Sequence, residues 1–83
     1  MAITFSRQAT KELAAIQPAR AARILKAIER IHAAPRAKHN NVKPLKGQRN
    51  GYRLRVGDRR VSFTLEGGKL NVSEIAARGS AYR

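Results

Sequence analysis

The chain has no cysteine, which excludes disulfides and thiolate metal sites and leaves packing as the only staple for a small domain. No apolar run approaches the roughly 18 residues of a membrane span, so no spanning helix is expected. The opening MAITFSRQ has no apolar core of the kind a secretory signal carries, and the expectation is a cytoplasmic protein. Large apolar side chains are also scarce. Of the 42% hydrophobic residues, 14 are Ala and only 21 are larger. Carboxylates are scarcer still, with five Asp and Glu against 18 Lys and Arg.

What is present follows from those absences. The net charge is +13 and the sequence pI about 11.7. Solubility alone asks for a net charge of only about 2–8 in a small domain. The excess therefore points to a polyanion: nucleic acid, an anionic membrane surface or an acidic protein. The 83 residues make one domain, 1–83, which buries about 60–65% of its unfolded surface. A core this thin suits a protein that gains stability from a bound partner.

Ala2 to Phe5 reads as a short β-strand. Ser6 is a helix N-cap, and Ala9, Leu13 and Ile16 then form an apolar stripe with helical spacing. Pro18 ends that helix and suits the first turn of the next. In the second helix Ala21, Ile24, Leu25, Ile28 and Ile31 are expected on one face, with Arg20, Arg23, Lys26 and Arg30 off it. Pro35 stops it. A short connection predicts a two-helix hairpin. Arg36 to Asn50 reads as loop or extended segment, with Val42 and Leu45 anchoring it. His32 falls near a helix C-terminus, His39 in a solvent-exposed loop, and the two make no metal site.

Three strands follow. Tyr52, Leu54 and Val56 alternate with Arg53 and Arg55; Gly57-Asp58 is a turn. Val61, Phe63 and Leu65 alternate with Arg60, Ser62 and Thr64. Glu66 to Gly68 makes a second turn before a strand from Lys69 to Ala76, with Leu70 and Val72 inward. The order is β-α-α-β-β-β. Segregated runs of helix and strand predict an α+β fold, with the helices on one face of a small antiparallel sheet.

The parity of the strands sorts the arginines. With Tyr52, Leu54, Val56, Val61 and Phe63 facing the helices, Arg53, Arg55 and Arg60 share the uncovered face, and Arg59 is left peripheral beside the turn. Like charges opposed across a strand pair destabilise a sheet, a cost that an anion seated among them would offset. Arginine matches phosphate bidentately and stacks on bases, where lysine is a point charge. Tyr82, between Arg78 and Arg83, adds an aromatic plane of the kind on which single-stranded RNA stacks.

The run NVKPLKGQRNGYRLRVGDRRVSF, followed by a further strand and RGSAYR, resembles the RelE/ParE superfamily of bacterial toxins from type II toxin–antitoxin pairs. The resemblance spans nearly the whole chain. It rests most on the LKG and YRLRVGDRRV block and on Arg78 spaced four residues before Tyr82. It implies two helices packed on an antiparallel sheet and neutralisation by a cognate antitoxin, here expected to be acidic, with an amphipathic helix. RelE-like members cleave mRNA in the ribosomal A site; ParE-like members inhibit DNA gyrase. Both activities stay open from the hairpin alone, and Arg78 with Tyr82 favours RNA cleavage. A non-catalytic RNA-binding module would also account for the charge.

Carried over residue by residue, the resemblance implies a metal-free and cofactor-free endoribonuclease in which Arg53, Arg55 and Arg60 form the basic cluster. Arg60 and Arg78 stabilise the phosphate charge that builds in the transition state. Arg53, Lys46 and Arg83 help hold RNA, and Tyr82 orients the cleaved nucleotide. The reaction is attack of a ribose 2′-OH on the adjacent phosphate. Some RelE-like members carry Lys where Arg53 and Arg55 stand. Arginine stays protonated and is a poor general base, and the usual Gly-His-Arg before the tail is Ala76-Ala77-Arg78. The base falls to Tyr82 or to a group on the ribosome, whose hold on mRNA would supply in-line geometry.

Overall fold

The computed structural model describes residues 3–35, 37, 39–47 and 49–77. Strand β1 (Ile3–Phe5) leads into helix α1 (Arg7–Ala15) and helix α2 (Pro18–Ala33). Four strands follow: β2 (Val42–Pro44), β3 (Gly51–Val56), β4 (Arg59–Glu66) and β5 (Lys69–Ala77). They form one sheet in the order β1-β5-β4-β3-β2.

The helices start where local chemistry dictates. The Ser6 hydroxyl accepts the Ala9 N–H at 3.1 Å, capping α1, a contact worth about 1 kcal/mol. Pro18 occupies the first turn of α2, where its missing N–H costs nothing. Ile24, Ile28 and Ile31 are each at most 2% exposed, the i, i+4, i+7 stripe of an amphipathic helix. Leu25, expected in that stripe, is 37% exposed. It lies about 100° round the helix from Ile24, beyond the reach of the sheet.

The core lies between the helices and one sheet face. Leu54, Val61, Phe63, Leu70, Val72 and Ile75 are buried against Ala9 and the α2 isoleucines. Tyr52 pairs with Phe63 across β3 and β4, their rings stacked with centroids 5.7 Å apart. Such aromatic pairs add about 0.5–1.5 kcal/mol beyond area burial.

The fold class is as expected, with three differences in detail. β1 pairs parallel with β5, Ile3 opposite Leu70 and Phe5 opposite Val72, so the sheet is mixed rather than wholly antiparallel. Val42–Pro44, expected as loop or extended segment, adds an edge strand antiparallel to β3. Pro44 on that edge cannot donate to a further strand, which protects it from intermolecular pairing. The register of β4 and β5 shifts at Ser62/Phe63, so Leu70 and Val72 point inward, and then Ile75, a step of three. A β-bulge at Ser73 accounts for it, and the Ser73 hydroxyl donates to the Ser62 carbonyl at 3.1 Å.

Beyond the reach of β1, side chains from the start of α1 satisfy the β5 backbone. The Ser6 hydroxyl donates to the Ser73 carbonyl at 2.7 Å. The Gln8 amide does what a neighbouring strand would do: its Nε2 donates to the Ile75 carbonyl and its Oε1 accepts the Ile75 N–H, both at 3.0 Å. Ser6 and Gln8 thereby weld α1 to the sheet.

Candidate nucleic-acid interface

The site grows from a tight hairpin. Gly57 has φ of +60° and Gly57-Asp58 link β3 directly to β4. A positive φ at the first of two loop residues only is the pattern of a type II′ turn, whose twist matches that of the strands. The turn fixes the register: Leu54 opposite Val61, Arg55 opposite Arg60, Arg53 opposite Ser62. On the far side of β3, Lys43 stands opposite Arg53. Leu54 and Val61 are buried under the helices, so by the period of two Lys43, Arg53, Arg55 and Arg60 share the outer face.

Together with Asn40 and Asn41 these four cations line a cleft of about 290 Å³. Arg53 and Arg60 are half-buried and Arg55 is exposed. Asn41 is held at the rim by its carbonyl, which accepts the Arg55 N–H at 3.0 Å. Among the described residues no carboxylate lines the cleft; Glu74, opposite Ser62, is on the β5 side of it. Arg55 and Arg60 directly opposed repel each other, and a bound phosphate would turn that repulsion into two charge-assisted, bidentate contacts.

Arg53, Arg55 and Arg60 are thus brought together as the alternation predicts. Lys46 is not brought to them: it lies exposed in the turn after β2 and does not line the cleft. Arg78, Tyr82 and Arg83 lie outside the described residues. Sequence reasoning missed Lys43, Asn40 and Asn41. The signal was the alternation of Val42 with Lys43, which continues the inward–outward pattern of the hairpin onto a third strand.

Arg59, expected to be peripheral, is a structural residue. On the helix side of the sheet it donates to Glu12 of α1 at 2.9 Å, with a side chain only 19% exposed. Its Nε is 3.9 Å from Asp58 Oδ1, and Asp58 Oδ1 is 3.6 Å from Arg20 of α2. The hairpin tip is therefore tied to both helices. His32 and His39 serve the backbone: their Nε2 atoms lie 3.2 Å from the Gly68 carbonyl and 2.9 Å from the Ala34 carbonyl. His39 is half-buried rather than exposed. Among the described residues no cluster of His, Asp and Glu could hold a metal ion, and no helix is long and apolar enough to cross a membrane.

Neither a protein-family model nor a curated protein matches the chain. Solved structures do. The antitoxin–toxin complex RelB–RelE of Methanococcus jannaschii matches with a TM-score of 0.77 at 25% identity, over 95% of this chain and 94% of that one. The archaeal RelE–RelB complex of Pyrococcus horikoshii matches with a TM-score of 0.79 at 23% identity, over 94% of each chain. The isolated E. coli RelE toxin matches with a TM-score of 0.76 at 16% identity, over 92% of this chain and 82% of that one. With nearly its whole length matched, the chain has a RelE-like fold, as the resemblance in its sequence implied.

Proposed function

We propose that this chain is the toxin of a type II toxin–antitoxin pair and an endoribonuclease that cleaves mRNA in the ribosomal A site. The observation that carries the reading is the cleft on the outer sheet face, where Lys43, Arg53, Arg55 and Arg60 converge with no carboxylate among the described lining residues. The RelE neighbours solved with an antitoxin support a protein partner that neutralises the charge and covers the thin core.

In this mechanism Arg53 and Lys43 hold the phosphate and its neighbour along the strand. Arg55 and Arg60 face each other across the scissile phosphate. The 2′-oxygen attacks phosphorus and the bond to the 5′-oxygen breaks. The products are a 2′,3′-cyclic phosphate and a 5′-OH end. The negative charge that grows on the non-bridging oxygens meets guanidinium groups already in place, which is where electrostatic stabilisation is largest. By the family resemblance, Arg78 is assigned the same charge-stabilising role. The 2′-OH proton goes to Tyr82 or to a ribosomal group, because the arginines of the cleft stay protonated; the leaving 5′-oxygen takes up a proton. No metal or cofactor enters.

The test is cleavage of mRNA on programmed ribosomes by the purified protein, beside Arg60→Ala checked for folding by circular dichroism. The intact protein cuts at the A-site codon, and Arg60→Ala loses about 10²–10³ in rate, the cost of removing one preorganised group. No cut by the intact protein, or inhibition of DNA gyrase in its place, overturns the reading.

A further inference from the structure

The sheet-face cleft does not end at the edge of the sheet. Asn41 and Arg55, which line it, also line a second cleft of about 290 Å³ on the far side of β3, against α2. The helix wall of this second cleft is Arg23, Lys26 and Arg30, all exposed. At 100° per residue these three fall within about 60° of one another, on the flank of α2 that faces β3. Glu29, the only carboxylate of α2, lies about 60–120° away from them round the helix. Among the described residues no carboxylate lines the second cleft. The floor is Ala27, Leu54 and Val56, of which Leu54 is 4% exposed. The chemistry that fits the three cations of the wall is a run of phosphates.

We propose that the α2 flank is an RNA track continuous with the sheet-face cleft. One single strand held at Arg53, Arg55 and Arg60 turns over the β3 edge at Asn41 and lays its next phosphates along Arg23, Lys26 and Arg30. This rests on the RNA reading above and extends it to strands longer than the cleft can hold. From Arg23 to Arg30 the helix advances about 10 Å, and the reach of the three long side chains extends this to about three successive phosphates of a single strand. The cations stand on a rigid element, so the protein backbone needs no ordering and the cost falls on the strand and on the three side chains.

The test is fluorescence anisotropy with oligouridylates of increasing length, from 50 to 500 mM salt. It compares the full chain with Arg23→Gln/Lys26→Gln/Arg30→Gln and with an off-track triple, Arg7→Gln/Lys11→Gln/Lys69→Gln, which removes equal charge from exposed positions. Gln is as good a helix former as Lys or Arg, so the helix persists. Three lost phosphate contacts flatten the logarithmic salt slope by about 2 and weaken binding about 50-fold at 0.15 M salt. The off-track triple changes the slope by less than about 0.5. Affinity in the wild type climbs with length until about three nucleotides beyond those the cleft holds, and in the track variant it stops climbing sooner.

Equal slopes for the two triples overturn the track, since the whole-protein field alone would then account for binding. So does a track variant that binds RNA as the wild type does while losing affinity for polyglutamate, which would make the flank a site for an acidic protein. The assay needs neither ribosomes nor cleavage. A protein with the expected slopes that cuts no mRNA overturns the catalytic reading and leaves the track standing. One that cuts mRNA with equal slopes overturns the track alone.

Discussion

Replacing Arg55 by Gln should stabilise the free protein while weakening its hold on RNA. Arg55 stands directly opposite Arg60, on an exposed position of β3, and among the described residues its guanidinium has no ion-pair partner. Two unit charges about 6 Å apart in water repel by about 0.7 kcal/mol. Like-charged cross-strand pairs fall within the same range, about 0.2–1 kcal/mol. Relief of about 0.5 kcal/mol raises Tm by about 2–4 °C in a domain of this size. The gain belongs to low salt, because at 1 M the Debye length shrinks to about 3 Å and the repulsion is screened. Thermal melts followed by circular dichroism at 20 mM and 1 M salt check both parts. Added oligouridylate then reverses the order, since it stabilises wild type by mass action more than the variant. A variant that melts lower than wild type at low salt, or a gain untouched by 1 M salt, refutes the reasoning: the arginine pair would then be a structural contact and not a strained anion site.

Other perturbations read the framework that holds the site. Gln8→Ala removes the side-chain partners of the Ile75 N–H and carbonyl and leaves both unmet, costing about 1–3 kcal/mol; urea unfolding measures it. Glu12→Gln removes the negative charge that faces the Arg59 guanidinium under α1. With Glu12 and Arg59 only partly exposed, the loss is about 1–2 kcal/mol, and 1 M salt recovers only part of it because burial limits screening.

Most of the fold was legible because its signals are local. Ser6 before a helical stripe, Pro18 at a first turn, Pro35 after a last one and Gly57-Asp58 between alternating runs each name a boundary from neighbouring residues alone. The arginine cluster was legible for the same reason: once Leu54 and Val61 are inward, Arg53, Arg55 and Arg60 must be outward. What escaped depends on distant partners. β1 joins β5 in parallel through contacts 67 residues apart in sequence, and nothing in Ile3–Phe5 announces a direction. Val42–Pro44 becomes a strand only because β3 offers it an edge. The bulge at Ser73 breaks the alternation of β5, so Ile75 sits off the parity of Leu70 and Val72. Arg59 looked dispensable by its place beside the turn, yet Glu12 reaches it from another element. Lys43 and the two asparagines joined the site by the same route, carried there by β2.

The most direct test of a phosphate held for attack by its own ribose is an mRNA with a single 2′-deoxy nucleotide at the cleavage position, presented to the protein on programmed ribosomes beside the all-ribose message. The all-ribose message is cut, leaving a 2′,3′-cyclic phosphate and a 5′-OH end, and the substituted one stays whole at that position. Equal cutting of both messages, or cutting of neither, contradicts the mechanism.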